Sequence, residues 1–356
     1  MRFYTFLLFL IQTIYLFGQS KPPSEENLEK LNALVTKLDS KGFYGTILVA
    51  HKDSILFAKG YGFRDAAKQL PNTRKTIFGT GSLTKQFTAA AILKLEMQGK
   101  LSVRNKINMY FPQLPSDLKD IQIHHLLTHS AGFPVAIGSD YDAISENEFI
   151  DQAFAAAERI KPGSHHEYSN VGYALLSIII EKVSGISYEA YLKKNLFDPA
   201  GLENTGYVLP DWDVNSIAKG YTKKEEWGKP NDKPWNKDAP YLHLKGNGGL
   251  LSTVEDLFKW HLALKGDEIL SQEAKAKYYG KHIEEIPGED SYYGYGWVII
   301  PTGDGTDLVT HNGGNGIFFA DFWRLFDEEL TIIMMTNKAT NYTEDLCVRI
   351  ARTLLN

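Results

Sequence analysis

Ser82 and Lys85 stand three residues apart at the start of a strong helical pattern, directly after the small-residue turn Phe78-Gly79-Thr80-Gly81. At that spacing the two side chains share one helix face. A serine hydroxyl is a weak nucleophile until a base removes its proton, and an amine one turn further on can do so once burial or a neighbouring cation lowers its pKa from ~10.4. The helix amino-terminus adds a field that favours developing negative charge. The same spacing also fits an N-cap serine followed by a solvated lysine, so the pair needs company before it means chemistry.

Two further clusters supply it. In Glu167-Tyr168-Ser169-Asn170-Val171-Gly172-Tyr173, Tyr168 offers a phenol and Asn170 an amide where a loop leads into a helix. A phenol held beside a lysine ammonium can share its proton with Ser and Lys and later activate water. The tripeptide alone reads equally as a turn and a cap. In Thr310-His311-Asn312-Gly313-Gly314-Asn315-Gly316 the glycines let backbone approach a ligand, and an exposed N–H there could face an oxyanion. A hairpin corner between two strands is the plainer reading. His311, with an ordinary pKa of about 6.5, is expected to be partly charged at neutral pH.

The elements that must position these residues follow from periodicity. Ser24 caps a helix whose first turn carries Glu25 and Glu26 and whose apolar face is Leu28, Leu31, Leu34, Val35 and Leu38; the stretch 39–42 ends it. Strands at 45–50 and 55–60, joined by the turn His51-Lys52-Asp53-Ser54, form a hairpin. From about 82 to 204 the pattern is helical, with helices expected at 87–97, 148–157 and 171–183, the first and last closed by Gly99 and Gly185. The stretch 207–245 is irregular and rich in aromatics (Trp212, Tyr221, Trp227, Trp235, Tyr241), which fits either a lid or a satellite core under a long loop. Strands return at 294–300, 308–312, 316–325 and 330–336, and a helix from about 344 to 355 ends the chain. One antiparallel sheet built from both chain ends, covered by the terminal helices, with the helical middle packed beside it, is the economical α+β arrangement. The sheet part then comprises about 24–80 and 245–356, and the helical part about 81–244.

Composition narrows the function. The 356 residues are 43% hydrophobic and 23% charged, an ordinary globular mixture. Lys plus Arg number 38 against 43 Asp plus Glu, with no basic run to neutralise a line of phosphates, so nucleic-acid binding is not expected. Residues 1–18, with Arg2 before the apolar stretch 6–17 and Gly18 after it, read as a secretory signal peptide, too short for the ~20 apolar residues of a membrane span. A mature chain from about Gln19, periplasmic or secreted and with no stable membrane insertion, is the expectation. Cys347 is the single cysteine, which excludes an intramolecular disulfide; its apolar surroundings point to a buried, inert thiol.

In this order and at these distances, Ser82-x-x-Lys85, Tyr168-x-Asn170 and His311-x-Gly313 resemble the serine β-lactamase and penicillin-binding family, in particular its class C-like branch with its esterases, D-aminopeptidases and carboxypeptidases. The flanks 81–88, 126–132, 168–173 and 248–253 are similar too, and the resemblance runs from about 28 to 355. It implies the β-lactamase/transpeptidase-like fold with a site between sheet and helical part. Ser82 would be acylated, Lys85 and Tyr168 would handle its proton, Asn170 would touch a substrate amide, and the backbone N–H groups of Ser82 and Gly314 would hold the oxyanion. No metal or organic cofactor is implied. Where many β-lactamases of this branch carry Lys-Thr-Gly, whose cation can hold the drug's carboxylate, this chain has His311-Asn312-Gly313, like the esterase and peptidase relatives.

The expectation is therefore a serine hydrolase for a small ester, amide or peptide substrate, with a β-lactamase, a D-amino-acid peptidase or carboxypeptidase, or a non-turnover acyl-binding sensor as alternatives. Tyr221 and Asn247 are further candidates for substrate contact. His124, His125, His129, His165 and His166 show no metal-ligand pattern, since adjacent residues on an extended chain point to opposite sides; His129 is read as structural in a turn near the site, and His165 and His166 as rim residues.

Overall fold

The computed structural model describes residues 22–232, 241–302 and 305–355; the expected signal segment and Trp235 lie outside them. Ser24 accepts the Asn27 N–H at 3.1 Å and opens helix α1, Glu25–Ser40, which buries Leu31, Val35 and Leu38. Strands β1 (Gly45–His51) and β2 (Ser54–Tyr61) then pair antiparallel through a tight turn in which Lys52 takes φ 55°. The helical stretch follows: α2 (Thr84–Met97), α3 (Ile123–Leu127), α4 (Glu146–Ala156) and α5 (Asn170–Ser184). Serine caps fix two of these starts, Ser145 for α4 and Ser169 for α5, and Gly185 ends α5 in the left-handed conformation that glycine adopts freely.

Helix α5 leads through three short helical segments between 188 and 200 and the 207–245 stretch to helix α6, Val254–Lys265. The chain then lays down β3 (Ile283–Glu284), β4 (Tyr292–Tyr293), β5 (Val298–Pro301), β6 (Asp307–Gly314), β7 (Phe319–Leu325) and β8 (Leu330–Thr336) before α7 (Leu346–Leu355). The sheet order is β2-β1-β8-β7-β6-β5-β4-β3, antiparallel throughout. Its second and third strands, β1 and β8, pair the two chain ends, from Gly45 opposite Thr336 to His51 opposite Leu330.

Alternation along β1 divides the core. Ile47 and Val49 join Ile332 and Met334 under α1 and α7, whereas Leu48 and Ala50 join Ile333 and Met335 in the larger core shared with α2, α5 and α6. Two strand starts differ from the periodicity. The strand expected from 294 begins at Val298, because the chain first turns, with Gly296 at φ +74° and a Cβ there falling 2.7 Å from the Lys85 carbonyl oxygen. The strand expected from 316 begins at Phe319, because Asn315 Oδ1 accepts the N–H groups of Ile317 and Phe318 and folds the preceding residues into a turn.

Candidate active site

Ser82 sits in a single 3₁₀ turn, Gly81–Leu83, immediately before α2, so its side chain is held at the helix mouth. Strand β6 passes directly behind that turn. A Cβ on Gly81 would fall 2.4 Å from the Gly314 nitrogen, and one on Gly313 would fall 2.3 Å from the Ser82 nitrogen. Only glycine fits at either place, and the close approach brings the backbone nitrogens of Ser82 and Gly314 to one spot.

Lys85, the second residue of α2 and one turn beyond Ser82, is fully buried. Its Nζ donates to Ser82 Oγ at 3.1 Å, to Asn170 Oδ1 at 2.7 Å and to the Asn247 carbonyl at 2.7 Å, which uses all three donors of an ammonium. Burial holds the amine well below the ordinary lysine range, against the Asp140 carboxylate, which favours the charged form. Tyr168, at the end of the loop before α5, donates its hydroxyl to Ser82 Oγ at 2.8 Å, and Lys85 Nζ stands 4.8 Å from the centre of its ring. A hydroxyl, a phenol and a desolvated amine thus share one short hydrogen-bonded cluster, the arrangement that activates a serine for attack on a carbonyl.

Behind the cluster, His311 on β6 is buried. Its Nδ1 lies 2.6 Å from the Asn312 carbonyl and its Nε2 3.0 Å from the Tyr293 hydroxyl. Burial, reinforced by Lys85, pushes it down to about 3, with the Asn312 carbonyl opposing. The partial charge expected for His311 at neutral pH is therefore corrected: a desolvated imidazole beside an amine stays neutral.

A family model described as Beta-lactamase matches residues 31–353. The chain belongs to the beta-lactamase family. Penicillin-binding protein 4* of Bacillus subtilis is 30% identical over 317 residues, covering 83% of this chain and 68% of that protein. Among solved structures, an octameric penicillin-binding protein homologue from Pyrococcus abyssi superposes with a TM-score of 0.75 at 30% identity, over 92% of this chain and 79% of that one. A D-amino acid amidase from Ochrobactrum anthropi shares the fold, with a TM-score of 0.74 at 22% identity over 91% and 98% of the two chains. This is the serine β-lactamase-fold family of hydrolases and acyltransferases, in the α+β architecture described above.

Within that family frame, Ser82, Lys85, Tyr168 and Asn170 meet in one cluster, and His311, Gly313 and Gly314 line its β6 side. Two expected substrate contacts are placed otherwise. Tyr221 accepts the Ala66 N–H at 2.8 Å on its hydroxyl and packs its ring on Tyr44, and among the described residues none of its polar or ring contacts is with Ser82, Lys85 or Tyr168. Asn247 is buried, with its side chain donating to the His243 carbonyl at 3.0 Å; it reaches the site through its backbone oxygen, as an acceptor for Lys85. The aromatic stretch divides as well: Trp212 packs on the small cluster of Ile77, Ile217 and Leu251, while Trp227 stands between Tyr141 and Phe318. Among the described residues, exposed His165 bonds only Ser164, whereas His166 packs on His129 and Tyr293 and is pushed down to about 4 by burial.

Sequence reasoning passed over Tyr293 and, although it named Asn247, the role of that residue's carbonyl. Tyr293, which fixes Nε2 of His311, carries no motif. The Asn247 carbonyl had a signal in the run Gly246-Asn247-Gly248-Gly249, where two glycines take positive φ and turn the backbone toward Lys85.

Proposed function

We propose that the chain is a serine hydrolase that works through an acyl-enzyme on Ser82, with carboxylesters or small peptides and amides as substrates. The observation that carries this reading is the convergence of the Tyr168 hydroxyl and the buried Lys85 amine on Ser82 Oγ, at 2.8 and 3.1 Å. Ser82 Oγ attacks the substrate carbonyl as its proton passes into the Lys85–Tyr168 pair. The N–H groups of Ser82 and Gly314 take the oxyanion, and the pair returns the proton to the leaving group. A water then attacks the acyl carbon as its proton passes into the same pair, and the Ser82–acyl bond breaks as Ser82 Oγ takes that proton back, releasing the acid.

Two observations favour esters and amides over β-lactams. His311 is neutral and has its Nε2 occupied by Tyr293, so the position that would hold a drug's carboxylate offers no cation. Among the described residues the Asp140 carboxylate is the anion that acts on Lys85, and its charge disfavours anionic acyl donors.

The test is hydrolysis of short-acyl nitrophenyl esters beside a chromogenic cephalosporin, by the native chain and Ser82→Ala. Ester turnover that vanishes with Ser82 and exceeds cephalosporin turnover is the expected result. Preferential cephalosporin hydrolysis would put a β-lactamase first, and a stable stoichiometric adduct without a steady state would make the chain an acyl-binding sensor.

A further inference from the structure

The turn Thr128-His129-Ser130 touches the site without supplying any of the reacting groups. His129 is buried and, although not a glycine, takes φ +54°, a left-handed conformation that persists only where its surroundings fix it. Those surroundings are explicit. The Tyr173 hydroxyl donates to the Leu127 carbonyl at 2.9 Å, Ser130 N–H to the His125 carbonyl at 2.9 Å, and Gly163 N–H to the Ser130 carbonyl at 2.9 Å.

Held in this way, His129 grips the residues on both sides of Tyr168. Its carbonyl oxygen accepts the Glu167 N–H at 2.7 Å, and its Nδ1 accepts the Ser169 N–H at 3.0 Å. Its ring lies on the Tyr168 ring, with centroids 4.3 Å apart and planes 35° apart, while Lys85 Nζ stands 4.8 Å from the centre of the same ring. Because Nδ1 is an acceptor, the imidazole proton is on Nε2, and burial keeps His129 neutral, well below the ordinary histidine value. Among the described residues neither ring nitrogen bonds Ser82, Lys85 or the Tyr168 hydroxyl: Nδ1 is taken by Ser169 and Nε2 has no hydrogen-bond partner.

Resting on the acyl-enzyme reading above, we propose that His129 is a positioning residue, which clamps the backbone on either side of Tyr168 and braces its ring so that the phenol points at Ser82 Oγ. A misplacement of about 1 Å in such a group costs on the order of a hundredfold in rate.

The test measures the rate at which a fluorophosphonate labels Ser82, read by intact mass, in the native chain, His129→Gly, His129→Asn, Tyr168→Phe and His129→Gly/Tyr168→Phe, with the melting temperature of each. Glycine takes positive φ without strain and removes ring and acceptor together. Asparagine tolerates that backbone and restores an acceptor close to the position of Nδ1. Expected is a slowing of about tenfold or more for His129→Gly in the native background, less than twofold in the Tyr168→Phe background, and recovery of most of the loss in His129→Asn. Equal slowing in both backgrounds, or none in the native one, overturns the proposal. Should the glycine variant not fold, the asparagine variant decides: a rate within about threefold of native supports the clamp, and a loss as large as that of Tyr168→Phe overturns it. Labelling elsewhere than Ser82, or none at all, would instead remove the acyl-enzyme reading.

Discussion

Lys85 has its three donors saturated by Ser82, Asn170 and the Asn247 carbonyl, yet it stands in surroundings that disfavour its charge. Saturated donors orient the amine, and desolvation makes it willing to exist neutral; a proton acceptor at this place needs both. Replacing Lys85 by Ala or Tyr168 by Phe is accordingly expected to lower kcat/KM on a nitrophenyl ester by about 10² or more, with near-native rates refuting the assignment. Asp140 tunes the same group from a distance. Its negative charge favours the ammonium, so the neutral amine becomes available only at a higher pH than burial alone would set. Asp140→Asn removes that pull, and the acid limb of the kcat/KM profile should move to lower pH; a limb that stays or moves upward contradicts the coupling. His311, pushed down to about 3, should add no titration between pH 5 and 8.

The nucleophile's geometry belongs to two elements, the 3₁₀ turn before α2 and strand β6, which meet without room for a Cβ at Gly81 or Gly313. A Gly313→Ala methyl would land 2.3 Å from the Ser82 nitrogen and push strand and turn apart. Removing one oxyanion donor typically costs 10²–10³ in kcat, so a loss of about that size, with the circular dichroism of a folded chain, is the expected outcome; full activity would show that the two elements do not together form the oxyanion site. This scale also explains what was legible beforehand. Helices with their own signals, such as α1 with Ser24 and α5 with Ser169 and Gly185, lie within a residue or two of where periodicity put them, because caps and left-handed glycines act locally. The Ser82, Tyr168 and His311 motifs were readable because their residue types are chemically unusual together. The clamp at His129 and the bond from Tyr293 to His311 were not, since each depends on a backbone conformation or a cross-strand contact with no local mark. The two-residue strands β3 and β4 were equally invisible, being too short to show an alternation.

Over the whole molecule, the buried titratable groups pull stability in opposite directions with pH. Burial lowers His124 and His166 to about 4, His311 to about 3 and His261 to about 2, so between roughly pH 4 and 6.5 the unfolded chain binds protons that the folded chain refuses. Their contribution is complete above 6.5 and is lost as pH falls. Asp321 and Glu285, both raised to about 7 by burial, do the reverse: the folded chain keeps a proton that the unfolded chain has lost, and this contribution fades as pH rises toward 7. Across these six groups the unfolded chain is about two protons ahead near pH 5, and the buried His129, also held well below the ordinary histidine value, adds to the same side, so the melting temperature should fall as pH drops from 6.5 to 4. Asp321 is the clearest group for testing this balance. It sits on β7 with Trp323 Nε1 donating to it at 2.9 Å and the buried Cys347 of α7 beside it, joining the sheet to the helix that covers it. Asn at this position keeps an acceptor for Trp323 and cannot ionise. On that basis Asp321→Asn should gain on the native chain as pH rises from 5 to 7.5, by on the order of 1.4 kcal/mol per pH unit across the window below 7. Paired melting curves at the two pH values measure it: a difference between variant and native chain that grows with pH supports a protonated carboxyl at this buried junction, and a difference independent of pH means that Asp321 is already ionised in the folded protein.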